Sequence, residues 1–300
     1  MDFRLHHNLI KKIFAEYETL PNELYIEKLK EKVEILATLS HSLHVDNIQM
    51  PAWKTYIETF VVKICFHTSS LLTLIKGSEL PFQLSQEKTI IFDEPSILTL
   101  LRTITENYLT FYYLFVSKIT EDEKHFRFCV FEYCGIKQRQ SFFTSNPEHT
   151  TKKQQEAVYL ENLKKQIEKF SYFKELEKGK KKKILDGVQP RLKPWKELFK
   201  EAELRLGLDS NLYSFKSSYT HSEFLSLLQI KSSNYGYKPL LRKNYYVLFI
   251  VHMLICRLIM NICDLFPSIK RHFEELDSEI KIEIEFLSVN LAIDSETLRK

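Results

Sequence analysis

Glycine is scarce, with six in 300 residues. Because glycine supplies positive-φ turns and lets backbone come close to a ligand, sites built on it are disfavoured; neither GxGxxG nor GxxxxGK[ST] occurs. No GxSxG elbow is present, and too few glycines remain to build an oxyanion turn, which removes the serine-hydrolase class. Cysteine is also sparse. The five (Cys65, Cys129, Cys134, Cys256 and Cys263) are odd in number, form no CxxC and lie mostly in apolar runs. A disulfide framework and a zinc ribbon are therefore not expected, and a reducing cytoplasm fits best. Cys129 and Cys134 have no assignable histidine partner, so a nucleophilic cysteine lacks support. The opening MDFRLHHNLIKKIF has no continuous apolar run of the kind a secretory signal needs. No period of 20 to 50 residues repeats, which argues against a solenoid.

What is present is core-forming material: 44% apolar residues, including 22 Phe and 15 Tyr, beside an ordinary 27% charged. Long Lys/Glu/Leu/Ile segments with few breakers predict an all-α, multi-helix bundle. Three segments are expected within one continuous domain: an N-terminal helical region over 1–88, a core bundle over 89–266 with a basic insertion at about 152–193, and a C-terminal helix over 267–300. The net charge of +4 is too small to imply a polyanion partner by itself. Residues 152–200, however, hold 15 Lys and Arg against 7 Asp and Glu.

The pattern predicts a helix opening at Pro21 or Asn22, a loop over DNIQMPAW, and a helix from Trp53 to Ile75 stopped by Gly77. GSELPFQLSQ reads as a turn and KTIIF as a short β-prone run. Asp93, ahead of Glu94 and Pro95, then caps a helix over about 95–117. That helix puts Ile97, Leu101, Ile104, Tyr108, Phe111 and Phe115 on an apolar face; Thr99, Arg102, Thr103, Glu106, Thr110 and Tyr113 fall on a narrow polar one. No lysine lies between Lys88 and Lys118, so the helix should be enclosed. TEDEKHFRFCVFEYCGIKQRQSFF predicts another helix, followed by a turn over TSNPEHTTKKQQ. EKGKKKKILDGVQPRLKPW reads as a mobile surface connection, and Pro194 to Arg205 as a helix. A further helix is expected from Asp209 or Ser210, with KSSNYGYKPLLRKN separating it from the apolar stretch Tyr245–Phe266. That stretch could span a bilayer by length, but it carries His252, Arg257, Asn261 and Asp264, so a buried core helix is expected, with Arg257, Asn261 and Asp264 on one stripe. Pro267 interrupts the pattern before a final amphipathic segment.

Two polar clusters are candidates for chemistry. On a helix Tyr213, Ser217 and His221 lie at i, i+4 and i+8, with Ser214 and Ser218 on a neighbouring row, so hydroxyls stack below the imidazole. Arg102 and Glu106 are adjacent on theirs. Brought together, Arg102 could hold a phosphate, His221 exchange a proton and Glu106 orient the ring. The alternative is a structural ion pair and a hydrogen-bonded interior histidine. Both readings stand at this point. Tyr213, Ser217, Ser218, Lys181 and Lys182 are the candidate binding residues. No metal site and no cofactor are expected: the pairs His6/His7, His41/His44 and His252/Cys256 each lack a second ligand pair. Trp195 is expected as a core or interface anchor.

The order DEPSILTLLRTITENYLTFYYLF and then KPWKELFKEAELRLGLDSNLYSFKSSYTHSE resembles a bacterial helical family of unknown function over roughly residues 90–265. Its R-x-x-x-E, W, Y-x-x-x-S and S/T-H elements correspond to Arg102 and Glu106, Trp195, and Tyr213, Ser217, Ser218, Tyr219 and His221. The resemblance implies an all-helical fold and brings no activity. A fainter resemblance is to the HEPN superfamily, many of whose members cut RNA without metal through R-x(4-6)-H. Here no His follows Arg102 at that spacing, and Lys216 rather than Arg stands five residues before His221. Three functions follow as expectations. The first is an RNA-binding or metal-independent RNA-cleaving factor, ribonuclease-like if an enzyme, in host defence or a toxin-antitoxin-like system. The second is a noncatalytic helical interaction module in a multi-protein complex, and the third is small-molecule binding between helices. RNA, a protein partner or a second copy are the expected partners, with no membrane.

Overall fold

The computed structural model describes residues 22–81, 88–143, 145–204, 223–232 and 237–289. Its elements are α1 (Asn22–Val45), a 3-10 turn (Ala52–Thr55) leading into α2 (Tyr56–Ile75), the strands β1 (Ser78–Pro81) and β2 (Lys88–Ile91), and α3 (Glu94–Phe111). A π-turn (Tyr112–Val116) precedes α4 (Glu121–Gln140), α5 (Pro147–Lys169), α6 (Ser171–Glu175), α7 (Lys178–Leu185) and α8 (Trp195–Glu201). Then come α9 (Phe224–Ser232), α10 (Tyr237–Leu265), α11 (Pro267–Glu274) and α12 (Ser278–Val289). Among the described residues the fold is all-helical apart from one antiparallel hairpin, in which Ser78 pairs with Ile91 and Pro81 with Lys88.

The chain divides into two compact units, one of residues up to Phe111 together with those from Phe199 on, the other Tyr112–Leu198. In the first unit α10 packs against α1, α3, α11 and α12, and α2 lies against α1 and α3. The seven-residue spacing of Leu29, Leu36 and Leu43 puts all three on the buried stripe of α1. From Val247 to Cys263 nearly every α10 side chain is buried. The stripe of Arg257, Asn261 and Asp264 lies on its less covered side, where Asn261 Oδ1 accepts from the Tyr108 hydroxyl at 3.1 Å. Helices Ala52–Ile75 and Tyr246–Leu265 are long and apolar enough to cross a bilayer by length and composition, and 72% of the second's most apolar window is buried inside the protein.

A cluster of ionised groups joins α1 to α12. Lys32, with no exposure, reaches Glu283 Oε2 at 2.6 Å and also contacts Glu31, while Lys28 donates to Glu283 Oε1 at 2.8 Å. Burial works against the Lys32 charge, but the Glu283 and Glu31 carboxylates, through charge and hydrogen bonds, together outweigh it and hold the ammonium above its ordinary pKa.

Several boundaries differ from those the sequence pattern predicts. TSNPEHTTKKQQ is not one turn: Asn146 Oδ1 accepts from Glu148 N at 2.9 Å and Pro147 takes the first helical position, so α5 starts there. GSELP contributes β1 rather than only a turn. The helix expected over 194–205 is shorter, Trp195–Glu201. KPLLRKN is helical, because Pro239 falls in the first turn of α10, where a missing N–H is tolerated. The expected helix from Asp209 or Ser210 lies outside the described residues.

In the second unit α4 and α5 form an antiparallel pair whose core includes Phe126, Val130, Tyr133, Leu163, Ile167 and Ile184. The lysine-rich stretch is not a mobile connection. It forms α7, held down by Ile184, which has no exposure, and ended by Gly187 at φ +78°. Lysine is a good helix former, so the run stays helical once Ile184 is buried against the core.

Candidate functional site

Asp93 caps α3 by accepting from Ser96 N at 3.1 Å, and Ile97, Leu101, Ile104, Tyr108 and Phe111 are all buried. The opposite side carries Arg102, whose Nε donates to Glu106 Oε1 at 2.8 Å with the two side chains 15% and 28% exposed. The threonines of that face turn inward on their own helix: Thr103 donates to Thr99 O and Thr110 to Glu106 O. Glu106 holds the Arg102 guanidinium through its Nε. An i, i+4 pair of this kind stabilises a helix by about 0.3–0.5 kcal/mol, less than a residue truncated from the core would cost. Tyr213, Ser217, Ser218, Tyr219 and His221 lie outside the described residues, so the structure brings together Arg102 and Glu106 and places none of the other five.

The second candidate surface belongs to the second unit. Tyr133 donates its hydroxyl to Leu185 O at 3.0 Å and the Cys134 thiol to Ile184 O at 3.9 Å, so α4 holds the end of α7 at two backbone positions. Burial pushes the Cys134 thiol up to about 11, which leaves it protonated and a donor. With the helix so fixed, Lys178, Lys180, Lys182 and Lys183 are exposed, and among the described residues none has an ion-pair partner. Lys181 is committed differently. Its ammonium donates to Lys174 O at 2.7 Å and stands 5.8 Å from the Phe173 ring centre, whereas Lys182 projects freely. Lys178, Lys180 and Lys183 were missed as individual candidates, because a lysine run says nothing of which members a docked helix turns outward.

Two arrangements have no counterpart in a local motif. Arg127, 2% exposed, donates to Tyr113 O at 3.2 Å and Glu123 Oε1 at 2.7 Å, with its guanidinium 4.4 Å from the Tyr113 ring centre. It satisfies a carbonyl of the π-turn, whose ladder closes with Ser117 N on Tyr112 O at 2.9 Å. Trp195 is half-buried with the Arg191 guanidinium 3.6 Å over its ring, an anchor covered by a cation rather than a bare platform. Among the described residues no three His, Cys, Asp or Glu side chains gather as a metal ion would need.

Compared with known proteins, residues 55–237 match the model of a family of unknown function (DUF5677). The match takes in Arg102, Glu106, Trp195 and the stretch from Tyr213 to His221. No curated protein and no solved structure matches the chain, so the fainter HEPN likeness has no support here.

Proposed function

We propose, from the premise that the chain belongs to the DUF5677 family of unknown function, that it is a cytoplasmic RNA-binding helical protein whose contact surface is the lysine face of α7. One observation carries the reading: Lys178, Lys180, Lys182 and Lys183 stand exposed on an anchored helix with no carboxylate paired to them among the described residues. Around them residues 152–200 hold 15 basic against 7 acidic side chains, so the local field is not neutralised. Ammonium groups clustered on an anchored helix bind phosphates by releasing counterions, without reading sequence. Four such contacts give a log K against log[salt] slope of about −3 to −4.

Fluorescence anisotropy with a labelled RNA tests this. Lys180→Glu with Lys182→Glu changes only exposed positions. It should weaken binding by more than tenfold at low salt and make the salt slope shallower by about 1.5. A variant with the parent's affinity and slope sinks the reading. Cleavage is a separate claim, in which Arg102 holds the phosphate and His221 moves the proton. The Nε bond of Arg102 to Glu106 favours the noncatalytic reading of α3. RNA product formed by the parent and lost in Arg102→Ala, with binding retained, would reverse that preference.

A further inference from the structure

The turn between α4 and α5 carries two adjacent phenylalanines that serve no interior role: Phe142 is 59% exposed and Phe143 94%. With Gln140, Thr150, Lys153 and Gln154 they line an open cleft of about 530 Å³. Its wall thus joins π faces to amide, hydroxyl and ammonium groups. Lys153 donates to Phe142 O at 2.8 Å, which fixes both the ring-bearing backbone and a cation at the rim. Gln154 is exposed, and its amide offers a donor and an acceptor side by side. Aromatic faces beside an amide suit a flat heterocycle that stacks and presents hydrogen-bonding edges; a lipid chain would leave the amide unsatisfied.

The position of the cleft relates it to the lysine face. Gly187, just past α7, sits so close to Lys137 that an added Cβ would lie 2.5 Å from Lys137 Cγ. Lys137 lies in the last turn of α4, which ends at Gln140, so the carboxyl end of α7 packs beside the end of α4 that leads into the aromatic turn. The exposed lysines lie four to nine residues before Gly187, roughly 6 to 14 Å back along α7, so a strand with phosphates on them has to run several nucleotides before a base can reach the rings.

We infer that the cleft at Phe142 and Phe143 is a base-stacking subsite for single-stranded RNA. The inference rests on the proposed RNA binding and adds the ligand's form: an unpaired strand, held by its phosphates on α7 and by a base at the turn. A duplex keeps its bases stacked on one another and gains nothing from the rings, whereas base–aromatic stacking favours an unpaired strand by about tenfold per ring.

The test measures anisotropy of labelled A12 RNA and of a 12-base-pair RNA duplex on the full chain, comparing the parent with Phe143→Ala, whose ring is almost wholly in solvent. The expected result is about tenfold weaker binding of A12 and less than twofold change for the duplex. A 2-aminopurine base in the strand should be quenched by the parent and not by the variant. Unchanged A12 affinity overturns the inference, as does an equal loss for A12 and duplex. So does an unchanged A12 affinity combined with lost binding to vesicles containing phosphatidylserine, which would reassign the turn to a membrane surface. The Lys180→Glu, Lys182→Glu variant separates the two claims. If it binds both RNAs as the parent does, the lysine reading fails whatever Phe143→Ala shows.

Discussion

Acidification should destabilise this protein through one residue. His252 stands in the middle of α10 with no exposure, its ring edge-to-face with Tyr25 at 5.6 Å between centres. Burial strips the hydration an imidazolium needs and pushes the pKa down to about 3; Glu283 on α12 raises it, while Lys32 and Lys28 on α1 lower it further. The unfolded chain binds the proton near 6.5 and the folded chain does not, so stability falls as the pH drops through 6.5 and keeps falling to about 3. Between pH 7.5 and 5.0 the loss is about 2 kcal/mol, and it is the same for any folded pKa at or below about 4. Urea unfolding followed by circular dichroism at the two pH values measures it. His252→Phe keeps an aromatic ring against Tyr25 and removes the titration, so the parent should lose about 2 kcal/mol more than the variant over that range. Every other ionisable group is common to both proteins, so its contribution cancels in the difference. Equal pH dependence in the two would refute the argument, because it would mean that His252 is protonated as easily inside the fold as outside it.

Further substitutions at Glu283 and at two glycines test the packing. Glu283→Ala leaves the Lys32 ammonium buried with only Glu31 for company and should cost about 3–5 kcal/mol in urea unfolding; replacing the pair by Lys32→Met with Glu283→Leu should recover most of that. A loss below about 1 kcal/mol in the single variant would show that the ammonium finds water or another partner. Gly187→Ala meets both a φ of +78° and the Lys137 side chain, so it should lower stability by at least about 1 kcal/mol. Gly135→Ala, in the middle of α4 with nothing within 4 Å of the new methyl, should raise it by about 0.5–1 kcal/mol. Thermal melts that rank the two glycine variants the other way would contradict the close approach of α7 to α4.

Elements whose causes are local are legible in the sequence itself. Asp93, Glu94 and Pro95 mark the start of α3, and its buried face follows from spacing alone. Arg257, Asn261 and Asp264 share the less covered side of α10 because a 3.6-residue period puts them there. The misread boundaries are places where one signal has two meanings. Asn-Pro-Glu at 146–148 both turns a chain and caps a helix, and Pro239 breaks a helix interior but sits comfortably in a first turn. The docking of α7 was not legible, because its anchors Tyr133 and Cys134 lie about fifty residues away on α4. Of the candidate site, the Arg102–Glu106 pair could be read from its spacing, but how its polar neighbours would be used could not. Thr103 and Thr110 spend their hydroxyls on carbonyls one turn back, which a face drawn on a helical wheel cannot show.

Lysine shows why composition alone misassigns a surface. Lys28 and Lys32 are spaced i, i+4, and Glu283, some 250 residues away, binds both ammonium groups, with Lys32 fully buried and Lys28 partly exposed. Lys178 and Lys182 have the same spacing on α7 and remain in solvent with no ion-pair partner among the described residues. The deciding variable is a carboxylate within reach, which depends on the fold rather than on the lysines. Where that carboxylate exists, the cation contributes to holding helices together and its field is cancelled nearby. Where it is missing, the field extends roughly a Debye length into solvent, about 8 Å at physiological ionic strength, and is available to an incoming phosphate. The α7 face is therefore the place to look for a ligand, even though the excess charge of the whole chain is only +4.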